Sequence, residues 1–313
     1  LALTGASAAL SISSIPFLNP IAAVRVGLVE EEIVINPTFS ERKVSDLDLI
    51  IAGSSDAVMM VEAGAKEVPE DTMLKALEEG HAAIREIVAE IEKMASTIGK
   101  PKIEVVTRSI DPSIKSEIES QGLTPLAEAM RIKDKIDSYT QVDRVYDSLI
   151  ESIPEDDTER KSAVSHVFKE LKEKVLRDEI LERGQRLDGR RFDEVRDIWS
   201  EVSVLPRVHG SAVFTRGETQ ALVTATLGTG DDQQKIESVE GESYKRFLLH
   251  YNFPPFSVGE VKFLRGPGRR EIGHGNLAER SLAPMVPTEE TFPYTVRVVS
   301  DILESNGSSS MAT

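Results

Sequence analysis

A glycine-rich stretch, Gly266–Gly275, carries side chains suited to holding phosphate. Its four glycines allow the backbone to approach a ligand closely. The adjacent Arg269 and Arg270 supply planar guanidinium groups with several donors for phosphate oxygens. His274 can exchange a proton near neutral pH. The pattern predicts a phosphate-binding loop, and the alternative interpretation is a basic surface turn in which Arg270 pairs with Glu271.

A serine run is the second donor-rich segment. It follows Gly307 at the end of a β-rich stretch and precedes small, helix-compatible residues. Backbone N–H groups at a helix start attract anions, and serine hydroxyls add donors without bulk. We predict that Ser308, Ser309 and Ser310 cradle a phosphate, with a simple capping turn as the other interpretation. The GxxxxGK pattern of a P-loop does not occur.

Carboxylates that would hold Mg²⁺ for phosphoryl transfer are not evident in the sequence. None of the acids that follow Arg265 forms a tight pair that indicates a metal site. Other acidic positions are typical of solvated loops, and these are Asp231, Asp232, Glu240 and Glu242. No metal ligand is therefore assigned within this sequence. A Ser-His-Asp hydrolase is disfavoured because no nucleophile-elbow pattern is recognisable.

The charge of the chain is unevenly distributed. The formal net charge is −16, yet seven basic residues stand against three acidic ones between Lys245 and Arg280. Phosphate contacts need local Lys and Arg, so this basic island agrees with a phosphate site. The absence of cysteine excludes disulfides, thiolate zinc sites and a cysteine nucleophile. No apolar run reaches the length that spans a bilayer, so no membrane partner is expected.

Hydrophobic periodicity predicts the elements that must position these residues. A small-residue helix over 1–12 precedes two hairpins, at 24–35 and 47–62. A long helix then carries apolar residues from Met73 to Met94 and ends at Gly99. The stretch 112–183 reads as helical, with Asp157 or Thr158 able to cap its last helix.

Strand patterns return after a turn at Leu187–Arg190. We predict strands over 211–215, 221–227, 247–253 and 293–303. The first two of these flank a tight turn, Arg216-Gly217-Glu218. The order of elements therefore indicates two α/β regions on either side of a helical one.

The same region contains four long motifs: LPRVHGSAVFTRGETQALVTATLG (Leu205–Gly228), HYNFPPFSVGE (His250–Glu260), GRREIGHG (Gly268–Gly275) and FPYTVRVVSDILESNGSSSMA (Phe292–Ala312). In this order they resemble the second RNase PH-like core of bacterial and organellar polynucleotide phosphorylases. Residues 1–100 resemble the second half of the first core of that family, and residues 101–185 resemble its helical linker. The resemblance covers essentially the whole chain.

The resemblance implies a ring-shaped homotrimer that degrades single-stranded RNA from its 3′ end. Inorganic phosphate would attack the terminal phosphodiester and release a nucleoside diphosphate, and the reverse reaction would polymerise RNA. Mg²⁺ or Mn²⁺ would assist. Arg269 and Arg270 match the arginine pair of the family's active site, His274 matches a histidine of the same motif, and Ser308, Ser309 and Ser310 match its phosphate-binding serine loop.

The resemblance also implies the domain organisation and the setting of the protein. We expect an α/β (α+β) fold class: the second half of a first RNase PH-like core at 1–101, an all-helical linker domain at 102–186, and the first half of a second core at 187–313. Metal ligands would lie beyond Thr313, so the segment alone is expected to be inactive. A cytoplasmic location (or an organellar matrix or stroma) and RNA degradosome partners are further expectations.

Three other functions stay open at this point. A non-catalytic RNA-binding ring subunit of an exosome-like complex would keep the fold and the arginines but lack metal carboxylates. An RNase PH-type tRNA-trimming enzyme is disfavoured by the helical insert and by the indications of two cores. A generic phosphate-binding α/β protein would be distinguished by competition between RNA and mononucleotides.

Overall fold

The computed structural model describes residues 1–105, 110–151, 153–239 and 241–313. Glu240, which the sequence places in a solvated loop, lies outside the described residues. The chain divides into two compact units. One consists of Leu1–Thr107 and Arg280–Pro287, and the other of Arg108–Glu279 and Thr288–Thr313.

The first unit contains a four-stranded antiparallel sheet with a long helix packed on it. Its elements are α1 (Ala2–Ile12), β1 (Ala22–Val29), β2 (Glu32–Ile35), α2 (Phe39–Val44), β3 (Leu47–Gly53), β4 (Val58–Ala65) and α3 (Glu70–Ile98). The sheet order is β2-β1-β3-β4. Both predicted hairpins and the long helix are confirmed. The short helix α2 was not predicted; Thr38 and Glu41 form a capping box at its start.

Alternation along the strands builds the core of this unit. Leu49 and Ile51 are two residues apart on β3 and are fully buried, as period-2 side-chain geometry requires. Ile84 and Val88, one helical turn apart on α3, belong to the same apolar cluster. A Cβ on Gly80 would lie 2.5 Å from Ile51 Cδ1, so glycine is what allows α3 to approach the sheet this closely.

Three helices form the helical region of the second unit. They are α4 (Pro112–Met130), α5 (Lys135–Glu151) and α6 (Thr158–Glu182). The core contains Leu126, Leu171 and Val167, all essentially without exposed surface. Asp157 is the N-cap of α6 and accepts from the Arg160 N–H at 2.9 Å, which confirms one of the two predicted caps.

A carboxylate is buried where α4 and α6 meet. Glu179 is 4% exposed and accepts hydrogen bonds from Arg131 and from Arg183. The hydrogen bond from Arg131 is the main cause that lowers the pKa of Glu179, while burial acts in the opposite direction and Arg183 adds to the lowering. The ionised Glu179 therefore joins the two helices.

A five-stranded mixed sheet forms the rest of this unit. Its strands are β5 (Ile198–Val202), β6 (Gly210–Arg216), β7 (Thr219–Gly228), β10 (Phe247–Asn252) and β11 (Thr295–Glu304), in the order β10-β11-β7-β6-β5. Only β10 and β11 of these neighbours run parallel. A separate hairpin of β8 (Gln234–Ser238) and β9 (Gly241–Lys245) was not predicted, nor was β5.

The glycine-rich loop predicted over Gly266–Gly275 is partly wrong, because helix α7 (Arg269–Leu282) begins inside it. The Glu271 side chain accepts from the Gly268 N–H at 2.9 Å and so caps the start of the helix. Gly275 is buried against β10, where an added Cβ would lie 3.4 Å from the Tyr251 nitrogen. This glycine thus serves close helix–strand packing rather than loop flexibility. Among the described residues no helix is long and apolar enough to cross a membrane.

Candidate phosphate-binding site

Helix α7 separates the three site residues predicted from its motif. Arg270 lies over the ring of Phe253, with its guanidinium carbon 4.5 Å from the ring centre. Arg269 is exposed and does not line the cavity that Arg270 lines. His274 packs its ring edge-on against Tyr251, and its Nδ1 is buried without a partner in the described structure. Consecutive helical positions point in directions about 100° apart, so adjacent arginines cannot face one ligand equally.

The serine segment, Ser305–Ser308, connects β11 to the short helix α8 (Ser309–Ala312). Basic side chains hold all four of its carbonyl oxygens. Lys135 Nζ lies 2.6 Å from the Ser305 oxygen, and Arg196 Nη1 lies 2.6 Å from the Asn306 oxygen. Arg216 Nη2 lies 3.0 Å from the Gly307 and Ser308 oxygens. The acceptor edge of the segment is therefore occupied by cations.

The donor edge of the same segment is free at its C-terminal half. The N–H groups of Ser305 and Asn306 donate to the Ser257 carbonyl and to Thr219 Oγ1, respectively. No described residue accepts from the N–H groups of Gly307 and Ser308. Both residues have positive φ, 77° and 51°. Free N–H groups in such a turn are suited to an anion.

The three serines predicted as one cradle have different environments. Ser308 is exposed and lines the cavity described below. Ser309 is 2% exposed, and its hydroxyl lies 2.7 Å from the Tyr251 hydroxyl. Burial raises the pKa of Tyr251, which keeps its hydroxyl protonated. Ser310 is half-buried. Ser309 thus anchors the turn in the core, while Ser308 and the Gly307 backbone face the cavity.

A cavity of about 600 Å³ collects these groups. Its basic lining residues are Lys135, Lys262 and Arg270, and its acidic ones are Glu260 and Glu271. Lys262 pairs with Glu260, whereas Arg270 forms no ion pair with a described residue. One guanidinium and two free N–H groups therefore remain for an anionic ligand.

Sequence reasoning missed most of the basic residues at this site. Lys135 is 170 positions from the Ser305 carbonyl that it holds, so no local pattern indicates the contact. Arg196 does not belong to any of the motifs named above. Arg216 belongs to the predicted tight turn, but its link to the serine segment needs the strand pairing of β6 with β7.

His250 lies on β10 and lines a different cavity together with Pro267 and Glu271. Burial lowers its pKa, and the positive charges of Arg297 and Lys245 lower it further. His250 is therefore neutral at pH 7.

No group of three or more His, Cys, Asp or Glu residues that would hold a metal ion occurs in the part of the chain that the structure describes. The described residues therefore do not fit a divalent ion by themselves. Whether metal ligands lie outside this sequence, as the resemblance implies, stays a prediction.

Three family models match successive parts of the chain. The 3′ exoribonuclease family, domain 2, matches residues 19–83. The polyribonucleotide nucleotidyltransferase RNA-binding domain matches residues 113–191, and the 3′ exoribonuclease family, domain 1, matches residues 194–313. Similar curated proteins extend over the whole chain at about 50% identity. The chain belongs to the polyribonucleotide nucleotidyltransferase family. The fold class expected from the resemblance, RNase PH-like domains with a helical region between them, is confirmed.

Several bacterial members of this family illustrate the similarity. The polyribonucleotide nucleotidyltransferase of Koribacter versatilis is 51% identical over 99% of this chain and 38% of its own length. That of Solibacter usitatus is 52% identical over 100% of this chain and 44% of its own, and that of Aquifex aeolicus is 50% identical over 100% and 40%. The chain thus spans less than half the length of these relatives.

Among solved structures, the exosome of Archaeoglobus fulgidus with RNA bound to its active site aligns with 46% of this chain and 57% of its own. The TM-score is 0.36 and the identity is 19%, values too low to support a conclusion about fold or function. The domain boundaries at 101/102 and 186/187, and the roles of the individual site residues, stay predictions.

Proposed function

We propose that this chain supplies the phosphate-binding part of a phosphorolytic 3′-to-5′ exoribonuclease. In this reaction an oxygen of inorganic phosphate attacks the phosphorus of the last phosphodiester. The bond from that phosphorus to the 3′ oxygen of the preceding nucleotide breaks, and that oxygen takes a proton. The products are a nucleoside diphosphate and an RNA shorter by one nucleotide, and the reverse reaction extends RNA.

The observation that carries the proposal is the cavity formed by Arg270 and the Gly307–Ser308 turn. Its free donors can form hydrogen bonds to the oxygens of an anion, and fixed donors stabilise negative charge as it develops during attack. Lys135, Arg196 and Arg216 keep the turn in shape, because they bind its carbonyl oxygens. The identity to polyribonucleotide nucleotidyltransferases over the whole chain supports the same reaction.

A divalent ion, Mg²⁺ or Mn²⁺, would add neutralisation of phosphate charge when bound. Because the described residues do not fit such an ion, we assign no ligand to it here. We further infer single-stranded RNA as substrate, which the match to the family's RNA-binding domain supports. A homotrimer, RNA degradosome partners and a cytoplasmic location (or an organellar matrix or stroma) are proposed from the sequence resemblance alone.

The test uses the full-length protein with Mg²⁺, phosphate and oligo(A). Phosphate-dependent release of ADP is expected, whereas a hydrolase would release AMP and a non-catalytic ring subunit would bind RNA without turnover. Arg270→Gln should raise the phosphate KM about 10-fold or more, since a hydrogen bond to a charged group contributes about 1.5–3 kcal/mol. Arg265→Gln is the matched control, because Arg265 belongs to the same basic island but does not line this cavity.

An unchanged phosphate KM in the Arg270→Gln variant would show that this cavity is not the phosphate site. Arg269→Gln tests the residue that the resemblance assigns but the structure leaves outside the cavity. If it alone raises the phosphate KM, the resemblance locates the site better than the cavity does.

A further inference from the structure

A second cavity, of about 360 Å³, lies among the helical region, the turn at Leu187–Arg190 and the serine segment. It shares Lys135, Tyr139 and Asn306 with the cavity described above. Its basic lining residues are Lys133, Lys135, Lys172, Arg186, Arg190 and Arg196, and its one acidic lining residue is Asp188. Such an excess of positive charge is unexpected in a chain of net charge −16.

Little of this positive charge is neutralised within the described structure. Arg190 pairs with Asp188 at 2.7 Å. Although burial acts in the opposite direction, the hydrogen bonds from Arg190 lower the pKa of Asp188, so this carboxylate is ionised. Arg186 and Arg196 donate to carbonyl oxygens, which leave their charge in place. Lys133 forms no ion pair with a described residue.

The basic residues also repel one another. Burial is the main cause that lowers the pKa of Arg196, and the charges of Arg216 and Arg190 lower it further. Lys172 is held over the ring of Phe168, 5.0 Å from its centre, rather than by an acid. Like charges gathered in a half-buried cavity destabilise the empty state, and a multivalent anion would relieve that repulsion.

We propose that this cavity is a second anion site that takes a diphosphate group, either as free pyrophosphate or as part of a nucleoside diphosphate. Six basic residues against one acidic residue leave five positive charges, more than a single phosphate neutralises. Apolar side chains of Met130, Ile132, Val142 and Leu187, together with the Tyr139 ring, line the same cavity and suit a nucleoside.

Binding of a diphosphate in this cavity should change the contacts of the serine segment. Lys135 and Arg196 line the second cavity, and the same two side chains hold the carbonyl oxygens of Ser305 and Asn306. A diphosphate that draws these cations away would loosen the turn, so the two anion sites are coupled, and coupling of binding is reciprocal. The proposal concerns binding and does not depend on the proposed reaction.

The test is calorimetric titration of the full-length protein with pyrophosphate and, separately, with ADP. The variant Lys133→Gln/Lys172→Gln removes two cations that line only this cavity. It should weaken one class of diphosphate sites at least 10-fold, while the class sensitive to Arg270→Gln stays. The matched control is Lys100→Gln/Lys169→Gln, which removes the same charge from exposed positions outside the cavity.

Comparison of the two ligands distinguishes a nucleotide from a free diphosphate. Tighter binding of ADP than of pyrophosphate points to a nucleotide, and equal binding points to the diphosphate alone; either supports the proposal. Arg186→Gln, a single substitution of an exposed side chain, repeats the test if the double variant is poorly folded. Unchanged titrations in both variants would overturn the site. So would loss of single-stranded RNA binding in these variants without any loss of diphosphate binding.

Discussion

The Tyr251 and Ser309 hydroxyls should contribute to stability jointly, because each is the hydrogen-bond partner of the other. The two oxygens lie 2.7 Å apart, and each residue is 2% exposed. Because both residues are almost completely buried, solvent has little access to replace a lost partner. Tyr251→Phe leaves the serine hydroxyl buried and unpaired, and Ser309→Ala does the same to the tyrosine hydroxyl.

The expected magnitudes follow from the cost of a buried unpaired polar group. A buried hydrogen bond contributes about 1 kcal/mol net, whereas removal of only one partner costs about 1–3 kcal/mol, because the other polar group is left unsatisfied. Each single variant should therefore lose about 2 kcal/mol of unfolding free energy. The double variant removes both polar groups and should lose only about 1 kcal/mol, well below the sum of about 4 kcal/mol that independent sites would give.

The assay is urea denaturation followed by the fluorescence of Trp199, the single tryptophan of the chain. Trp199 is on β5, in the same sheet as β10. Tyr244→Phe is the control and should change stability by less than about 0.5 kcal/mol, because Tyr244 is 64% exposed. Additive losses in the double variant would refute the coupling and with it the view that Ser309 anchors the turn. The phosphate KM of each single variant should rise if that anchor shapes the site.

Two further predictions concern packing and pH. Gly80→Ala should destabilise by about 1–2 kcal/mol in thermal denaturation, because the contact with the buried Ile51 outweighs a helix-propensity gain of about 1 kcal/mol. Gly5→Ala, with nothing within 4 Å, should stabilise, and equal effects at both positions would contradict the packing argument. Glu179→Gln should cost about 1–3 kcal/mol at pH 7. The stability that comes from a lowered pKa is fully present above the unfolded value of about 4.5 and is lost as the pH falls from there through the folded pKa. Wild type and Glu179→Gln should therefore converge over that acidic range, and a difference that stays constant would exclude a role for the ionised carboxylate.

Local sequence patterns were sufficient for the elements whose energetics are local. The apolar repeat of α3, the two hairpins of the first unit and the cap at Asp157 all appear as predicted. Each depends on residues within a few positions of one another, where periodicity and capping chemistry act directly. The pattern was less reliable where glycines serve packing. Gly275 resembles a loop residue in sequence, yet it lies against β10 inside a helix.

The sequence by itself determined which residue types are present at the candidate site and to which family they belong. Only the tertiary structure decided which of these residues line the cavity and which lie elsewhere. It separates Arg270 from Arg269 because adjacent positions on α7 point in different directions, and it takes Ser309 into the core while Ser308 stays at the cavity. It also brings Lys135 to the Ser305 carbonyl from 170 residues away. Such contacts depend on how helices and strands pack against one another. Patterns of neighbouring residues in the sequence do not indicate them.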